Sequence, residues 1–168
     1  GRIYAYTSIA LYEVLRQGRP EYRSLAGQVR DLTEVPAPPA DAPIDINLAG
    51  IHAYISVAKA LIFSEADMEE FRTGIYAELK AKGVPDDVFN ASTAYGQAVA
   101  DHILEWSKKD NYAQTRSYPK YTINTELGRW QPTPPAFIEA IEPHWNEIRP
   151  MTLDSANQYP PLPHTAFS

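Results

Sequence analysis

Apolar residues return at helical intervals along the first two thirds of the chain and lose that rhythm beyond it. Ile3, Tyr6, Ala10, Val14 and Gln17 fall on one stripe with Thr7, Leu11 and Leu15 beside it, which predicts a helix with a wide buried face from Ile3 to Gln17. Gly18, with Pro20 behind it, ends that helix. Residues 33–46 (TEVPAPPADAPIDI) hold too much proline for a helix and few apolar groups, and predict a loop over the surface. The period returns at Asn47, the expected cap, and places Leu48, Ile51, Ile55, Ala58 and Ile62 on one face of a second helix. Ser64, with Asp67 three positions on, opens a third helix carrying Met68, Phe71, Ile75 and Leu79. Gly83 closes it and Pro85 starts a fourth, from about Asp86 to Lys109, with Val88, Ala91, Tyr95, Ala98, Val99, His102, Ile103 and Trp106 as its stripe. Lys108 and Lys109 suit its negative end. Gly96 inside this helix costs up to about 1 kcal/mol relative to Ala. Its presence among Ala91, Ala94, Ala98 and Ala100 predicts a close backbone approach there.

Beyond Asp110 the helical period fails. Residues 111–131 (NYAQTRSYPKYTINTELGRWQ) are aromatic and irregular, and are expected to lie as an ordered segment on the helices. Thr133, Pro134 and Pro135 ahead of Phe137, Ile138 and Ile141 read as a cap and first turn of a short fifth helix that Pro143 ends. The remainder is extended. No convincing strand alternation occurs, and no period of 20 to 50 residues repeats. The fold expected is all-α: a helical bundle of about four main helices plus a short fifth, with a proline-rich irregular carboxy-terminal tail. Residues 1–168 read as a single helical domain, with a body over about 1–110 and an aromatic and proline-rich wrapping segment over about 111–168.

Composition sharpens this picture. A chain of 168 residues with 44% hydrophobic content suffices for one domain with a real core and falls short of two. Its 15 basic residues against 21 acidic ones, net −6, give no basic stripe to reward phosphates, so no nucleic-acid partner is expected. The densest positive stretch, Arg16, Arg19, Arg23 and Arg30, reads as a solvated turn after a helix, the alternative being an anion site. Of 15 prolines, eight lie between Pro132 and Pro163, which stiffens the tail. No window approaches about 18 consecutive apolar residues, so no membrane span is expected. The absence of cysteine excludes disulfides, thiolate metal sites and cysteine nucleophiles. Gly1-Arg2-Ile3-Tyr4 enters a periodic segment at once, which suggests a trimmed start and a periplasmic or otherwise exported protein.

Candidate chemistry is sparse. His52 and His102 fall within helices and His144 and His164 in the tail, and no pair has the i, i+4 spacing of a helical metal site. Both helical histidines read as satisfied core or rim residues. Glu65 with Glu69 and Asp101 with Glu105 have that spacing, but Lys or Arg nearby makes them solvated faces. No nucleophile elbow, phosphate loop, dinucleotide fingerprint or calcium loop occurs. Asn90-Ala91-Ser92 is a formal glycosylation sequon inside a predicted helix. Tyr112, Tyr118, Tyr121, Trp130 and Trp145 either line a groove or pin an irregular segment.

The order of segments carries more information than any single motif. RIYAYTSIALYE, YGQAVADHILEWSKKDNYAQTR, GRWQPTPPAFIEAIEPHWNEIRPMTL and YPPLPHTAFS together resemble the amino-terminal half of vanadium-dependent haloperoxidase-like proteins, within the type 2 phosphatidic acid phosphatase superfamily. The resemblance implies a catalytic apparatus of three motifs: a Lys followed after six residues by Arg-Pro, then Pro-Ser-Gly-His, then Ser-Arg with His and Asp downstream. In that apparatus Arg, Lys and backbone donors hold phosphate or vanadate while a His attacks or transfers a proton. None of the three is complete here. Arg149-Pro150 is the one candidate for the first, and Glu142 stands where the Lys belongs, so Arg149-Pro150 reads as structural.

The expectation is a chain that forms the non-catalytic helical half of a phosphatase- or haloperoxidase-like protein, inactive alone, whose whole acts on phosphate esters or halides. No catalytic, cofactor-binding or metal residue is expected in it; vanadate or phosphate belongs to the full-length protein. Its expected partner is the missing carboxy-terminal catalytic half, or a second copy through self-association. The rival is a stand-alone helical ligand-binding module with an aromatic groove.

Overall fold

The structure, a computed structural model, describes residues 1–126, 128–160 and 162. Pro161 and residues 163–168, with His164 and most of the closing YPPLPHTAFS run, lie outside the described residues. The chain forms two compact units, Gly1–Ser107 and Lys108–Ser168. Its regular elements are all helical, and among the described residues no strand forms, only an isolated bridge between Ala26 and Val29.

The first unit is built on α1 (Arg2–Leu15), α2 (Ile46–Leu61), α3 (Glu65–Ala81) and α4 (Asp86–Ser107). The predicted stripes explain the packing. Tyr6, Ala10 and Val14 of α1 meet Leu48, Ala53 and Val57 of α2 and Tyr95, Val99 and Ile103 of α4 in a core closed to solvent. Tyr6 also sets its ring edge against Trp106 at 4.9 Å, an arrangement worth about 0.5–1.5 kcal/mol beyond area burial. Because α2 lies against α1, α3 and α4, it buries small residues as well as its main stripe, including Ala49, Gly50 and Ala53. A Cβ on Gly50 would stand 3.0 Å from Leu11 Cδ1, and one on Gly96 would overlap the carbonyl oxygen of Ala49. The close approach expected at Gly96 is therefore present. Its neighbours in that contact are Ser92 and Ala100, which are buried, while Ala94 and Ala98 face out.

Three local expectations need correction. The second helix begins two residues early, because the carboxylate of Asp45, not Asn47, is the cap and accepts from the Asn47 and Leu48 amides at 2.8 and 3.1 Å. Ser64 occupies the cap position of α3 but makes no side-chain cap bond. The proline-rich connection is largely the surface loop expected, with Val35 alone buried in residues 33–46, but it and the residues before it are tied to α4. Val29, Leu32 and Val35 are buried, the Trp106 indole donates to Arg30 O at 3.0 Å, His102 Nε2 lies 3.2 Å from Thr33 Oγ1, and the Asp45 amide donates to Ser92 Oγ at 2.8 Å. The long connection is thus laid along α4 and supplies part of the core.

In the second unit the short fifth helix sits at α5 (Tyr112–Thr115), not after Pro135. Residues 134–136 form a single turn, closed by the Phe137 amide on Thr133 O at 3.1 Å, and Phe137 then takes a positive φ of 46°. A short helix persists only when an apolar face is packed. Ile138 and Ile141, the face in question, are 64% and 75% exposed. The remaining order comes from polar ties. Asp110 Oδ1 accepts from the Tyr112 amide at 2.9 Å, Asp110 O accepts from the Arg149 amide at 2.9 Å, and Asn111 Nδ2 donates to Glu147 O at 3.1 Å.

Candidate functional site

Three places concentrate polar chemistry. The first is a relay across α2, α3 and α4. Gln97 Nε2 donates to Asp101 Oδ1 at 2.7 Å, which fixes the amide so that its oxygen faces His52 Nε2 at 3.0 Å. Ser56 Oγ donates to the same oxygen at 3.1 Å. His52 Nε2 therefore carries the proton, and Nδ1 accepts from the Tyr76 hydroxyl. Burial is the main cause that holds the His52 pKa below its ordinary value, with the Gln97 bond opposing it. The imidazole is neutral, and burial likewise raises the Tyr76 hydroxyl. Beside this relay Glu69 receives Lys59 at 2.7 Å and Arg72 at 2.6 Å, which pull its pKa down to about 2. The predicted Glu65 and Glu69 pair is thus no acid–base couple, since Glu69 is committed to two cations. His52 is, as expected, a satisfied buried histidine. His102 is half-buried and bonded to Thr33.

The second place is the end of α1. Glu13 is fully buried and accepts from Arg16 Nε at 2.6 Å, Ser24 Oγ at 3.0 Å and the Leu25 amide at 2.6 Å. A buried carboxylate persists only when paired and hydrogen-bonded in this way. It anchors the turn that follows the helix. Arg16 and Arg19, with Tyr12 and Tyr22, border an open cavity of about 600 Å³. Arg16 is spent on Glu13, and Arg19, mostly exposed, lies 3.9 Å from Glu21. Close by, burial raises the Tyr95 hydroxyl to about 12, and among the described residues that hydroxyl has no hydrogen-bond partner. The sequon residue Ser92 is also buried, donating to Val88 O at 2.6 Å, so its role is structural.

The third place lies in the second unit. Glu142 accepts from Tyr112 OH at 3.0 Å and from Arg116 at 2.8 Å. His144 offers Nδ1 to Glu147 Oε1 and Nε2 to Pro119 O, both at 2.8 Å. The Pro119 carbonyl first, and Glu147 second, raise its pKa. The candidate rings meet edge to face in pairs: Tyr112 with Trp145, Tyr118 with His144, and Tyr121 with Trp130. Tyr121 and Trp130 also wall a cavity of about 640 Å³, together with Pro134, Pro135, Ile138 and Ile141.

These groups do not fit an oxyanion such as vanadate or phosphate. Such a ligand needs converging cations and amide donors. The position where a Lys is required carries Glu142, an acid already bound to Arg116, while the backbone of Arg149 is tied to Asp110. Among the described residues no cluster of three or more His, Asp or Glu is placed to hold a metal ion, and no helix is long and apolar enough to cross a membrane.

No protein-family model matches the chain, and no curated protein matches it. Among solved structures, that of a bacterial vanadium-dependent iodoperoxidase matches at 49% identity with a TM-score of 0.91. The match covers 99% of this chain and 40% of that one, so this chain spans about two fifths of the length of the protein it resembles.

Proposed function

With the chain established as a relative of the vanadium-dependent haloperoxidases over nearly all of its length, we propose that it is the non-catalytic helical half of such a protein. The carrying observation is the proportion of the match: 99% of this chain fits within 40% of a vanadium-dependent enzyme. The local chemistry supports the same reading, since Glu142 and Arg149 do not form an oxyanion cradle. The whole protein would oxidise a halide or hydrolyse a phosphate ester, and the relative's iodoperoxidase name favours the halide. This chain would contribute helices packed around the site and part of its entrance, with the catalytic half as its partner.

The test is direct. The 168-residue chain, supplied with vanadate, iodide and peroxide, or with a phosphate ester, is expected to give no turnover above background in either assay. Turnover that disappears in Arg149→Ala would overturn the reading.

A second reading, a helical module that binds a ligand in an aromatic groove, draws its support from the cavity beside Tyr121 and Trp130. Against it, both rings are turned into each other at 5.5 Å instead of standing in an open row. Saturable quenching of Trp fluorescence by a soluble oligosaccharide or peptide, lost in Trp130→Ala, would favour the module.

A further inference from the structure

Among its described residues the second unit fully buries no apolar side chain. Every apolar residue in the buried core belongs to Gly1–Ser107, and among the described residues of Lys108–Ser168 only Asp110 and Thr115 are buried. Over the same stretch Trp130, Phe137, Ile138 and Ile141 are 47%, 59%, 64% and 75% exposed. Fully burying a side chain of this kind stabilises by about 1.5–3 kcal/mol, so this surface forgoes a large part of its hydrophobic free energy as it stands.

The exposed groups form one concave face. Ile138, Ile141, Tyr121 and Trp130 border the cavity of about 640 Å³. Phe137 borders a smaller one of about 120 Å³ that shares Tyr121 and Trp130. The face is stiff, because prolines fix the backbone on one side and Tyr121 OH donates to Trp130 O at 3.1 Å on the other. Its rim charges are already neutralised, Glu139 by Lys120 at 2.8 Å and Glu142 by Arg116 at 2.8 Å. An apolar centre with a satisfied polar rim is the anatomy of a protein interface.

We propose that this concave face seats the polypeptide that makes up the rest of the related iodoperoxidase, the part that this chain does not span. The proposal rests on the functional reading above and adds to it a place and a set of contacts. The related protein carries the same stretch, at 49% identity, within a chain of which the match occupies 40%, so there the stretch belongs to a chain most of which lies outside the match. A second copy of the present chain is a poor occupant. A symmetric pair would set the same concave surface against itself, which leaves a void where a convex element of a different polypeptide fills the hollow.

The test co-expresses this chain with the remaining portion of the iodoperoxidase and measures the portion retained on tagged chain. The unsubstituted chain is expected to retain it. Ile138→Glu with Ile141→Glu is expected to lower retention by at least about tenfold, as for a truncated hot spot, while Phe63→Glu, at an exposed apolar residue of the first unit, leaves it unchanged. Helix content by circular dichroism checks folding of each variant, and amide protection over residues 130–142 on complex formation gives a readout free of substitution. Retention unaffected by the double variant, with no protection there, overturns the face and leaves the functional reading standing. No retention by the unsubstituted chain overturns that reading and the proposal with it. A homodimer in sedimentation that the double variant dissolves, with no added protection from the co-expressed portion, makes a second copy the occupant and overturns the proposal.

Discussion

At the scale of single residues, Gly96 shows how one missing side chain sets a helix spacing. α2 and α4 meet so closely that a methyl group at Gly96 would run into the Ala49 carbonyl and stand 3.1 Å from His52 Cβ. The obstacle is backbone, which cannot rotate away. Gly96→Ala gains up to about 1 kcal/mol in helix propensity and loses more to overpacking, so we expect a net destabilisation of about 2 kcal/mol in urea unfolding. A stabilised variant would show that the two helices separate at little cost. The histidines make a second test, because their environments act in opposite directions. The folded pKa of His52 lies below 6.5, so its contribution to stability is complete above that pH and is lost as pH falls through the folded value. The folded pKa of His144 lies above 6.5, so its contribution is complete below that pH and is lost as pH rises through the folded value. Ring-proton NMR titration should give His52 the lower midpoint; the reverse order would mean that burial does not hold the ring neutral.

At the scale of elements, α3 differs from its neighbours because none of its residues is buried. It is held by the Lys59–Glu69–Arg72 group, by the Tyr76 bond to His52, and by the edge of Tyr76 against Phe89 at 5.0 Å. Elements with few buried apolar contacts open first. Native-state hydrogen exchange should therefore find α3 amides exchanging well before those of α2 and α4, and equal protection would count against a polar attachment. The four long helices were legible because an apolar face at helical spacing is written directly into residue order. Other features were not. Asp45 and Asn47 are both good caps, and only geometry decides between them. Val29, Leu32 and Val35 are isolated among polar and proline residues, so no period announces their burial. Thr133-Pro134-Pro135 carried a good start signal for a helix, but the face that follows has nothing to pack on. For the candidate site, the acid at Glu142 was visible in the chain, whereas its bonds to Arg116 and Tyr112 depend on residues 26 and 30 positions away.

At the scale of the whole molecule, the two units hold themselves together by different means. The first has a continuous apolar core, and its one deeply buried carboxylate, Glu13, is fully occupied by Arg16, Ser24 and Leu25. The second relies on hydrogen bonds and ion pairs around Asp110, Glu142 and His144 while its largest apolar side chains face outward. This contrast gives the functional reading physical content, since a segment specified by polar ties and open apolar faces is suited to completing itself against another polypeptide. The chain matches 40% of a bacterial vanadium-dependent iodoperoxidase at 49% identity.

The connection laid along α4 also has a consequence in time. Trp106 closes on Arg30 and His102 on Thr33, across sequence separations of 76 and 69 residues. During synthesis at about 5–20 residues per second, Val29, Leu32 and Val35 emerge several seconds before the helix that shelters them. Until α4 emerges the connection lacks the native partners that Trp106 and His102 give it, so the core of the first unit cannot be completed before α4 is made.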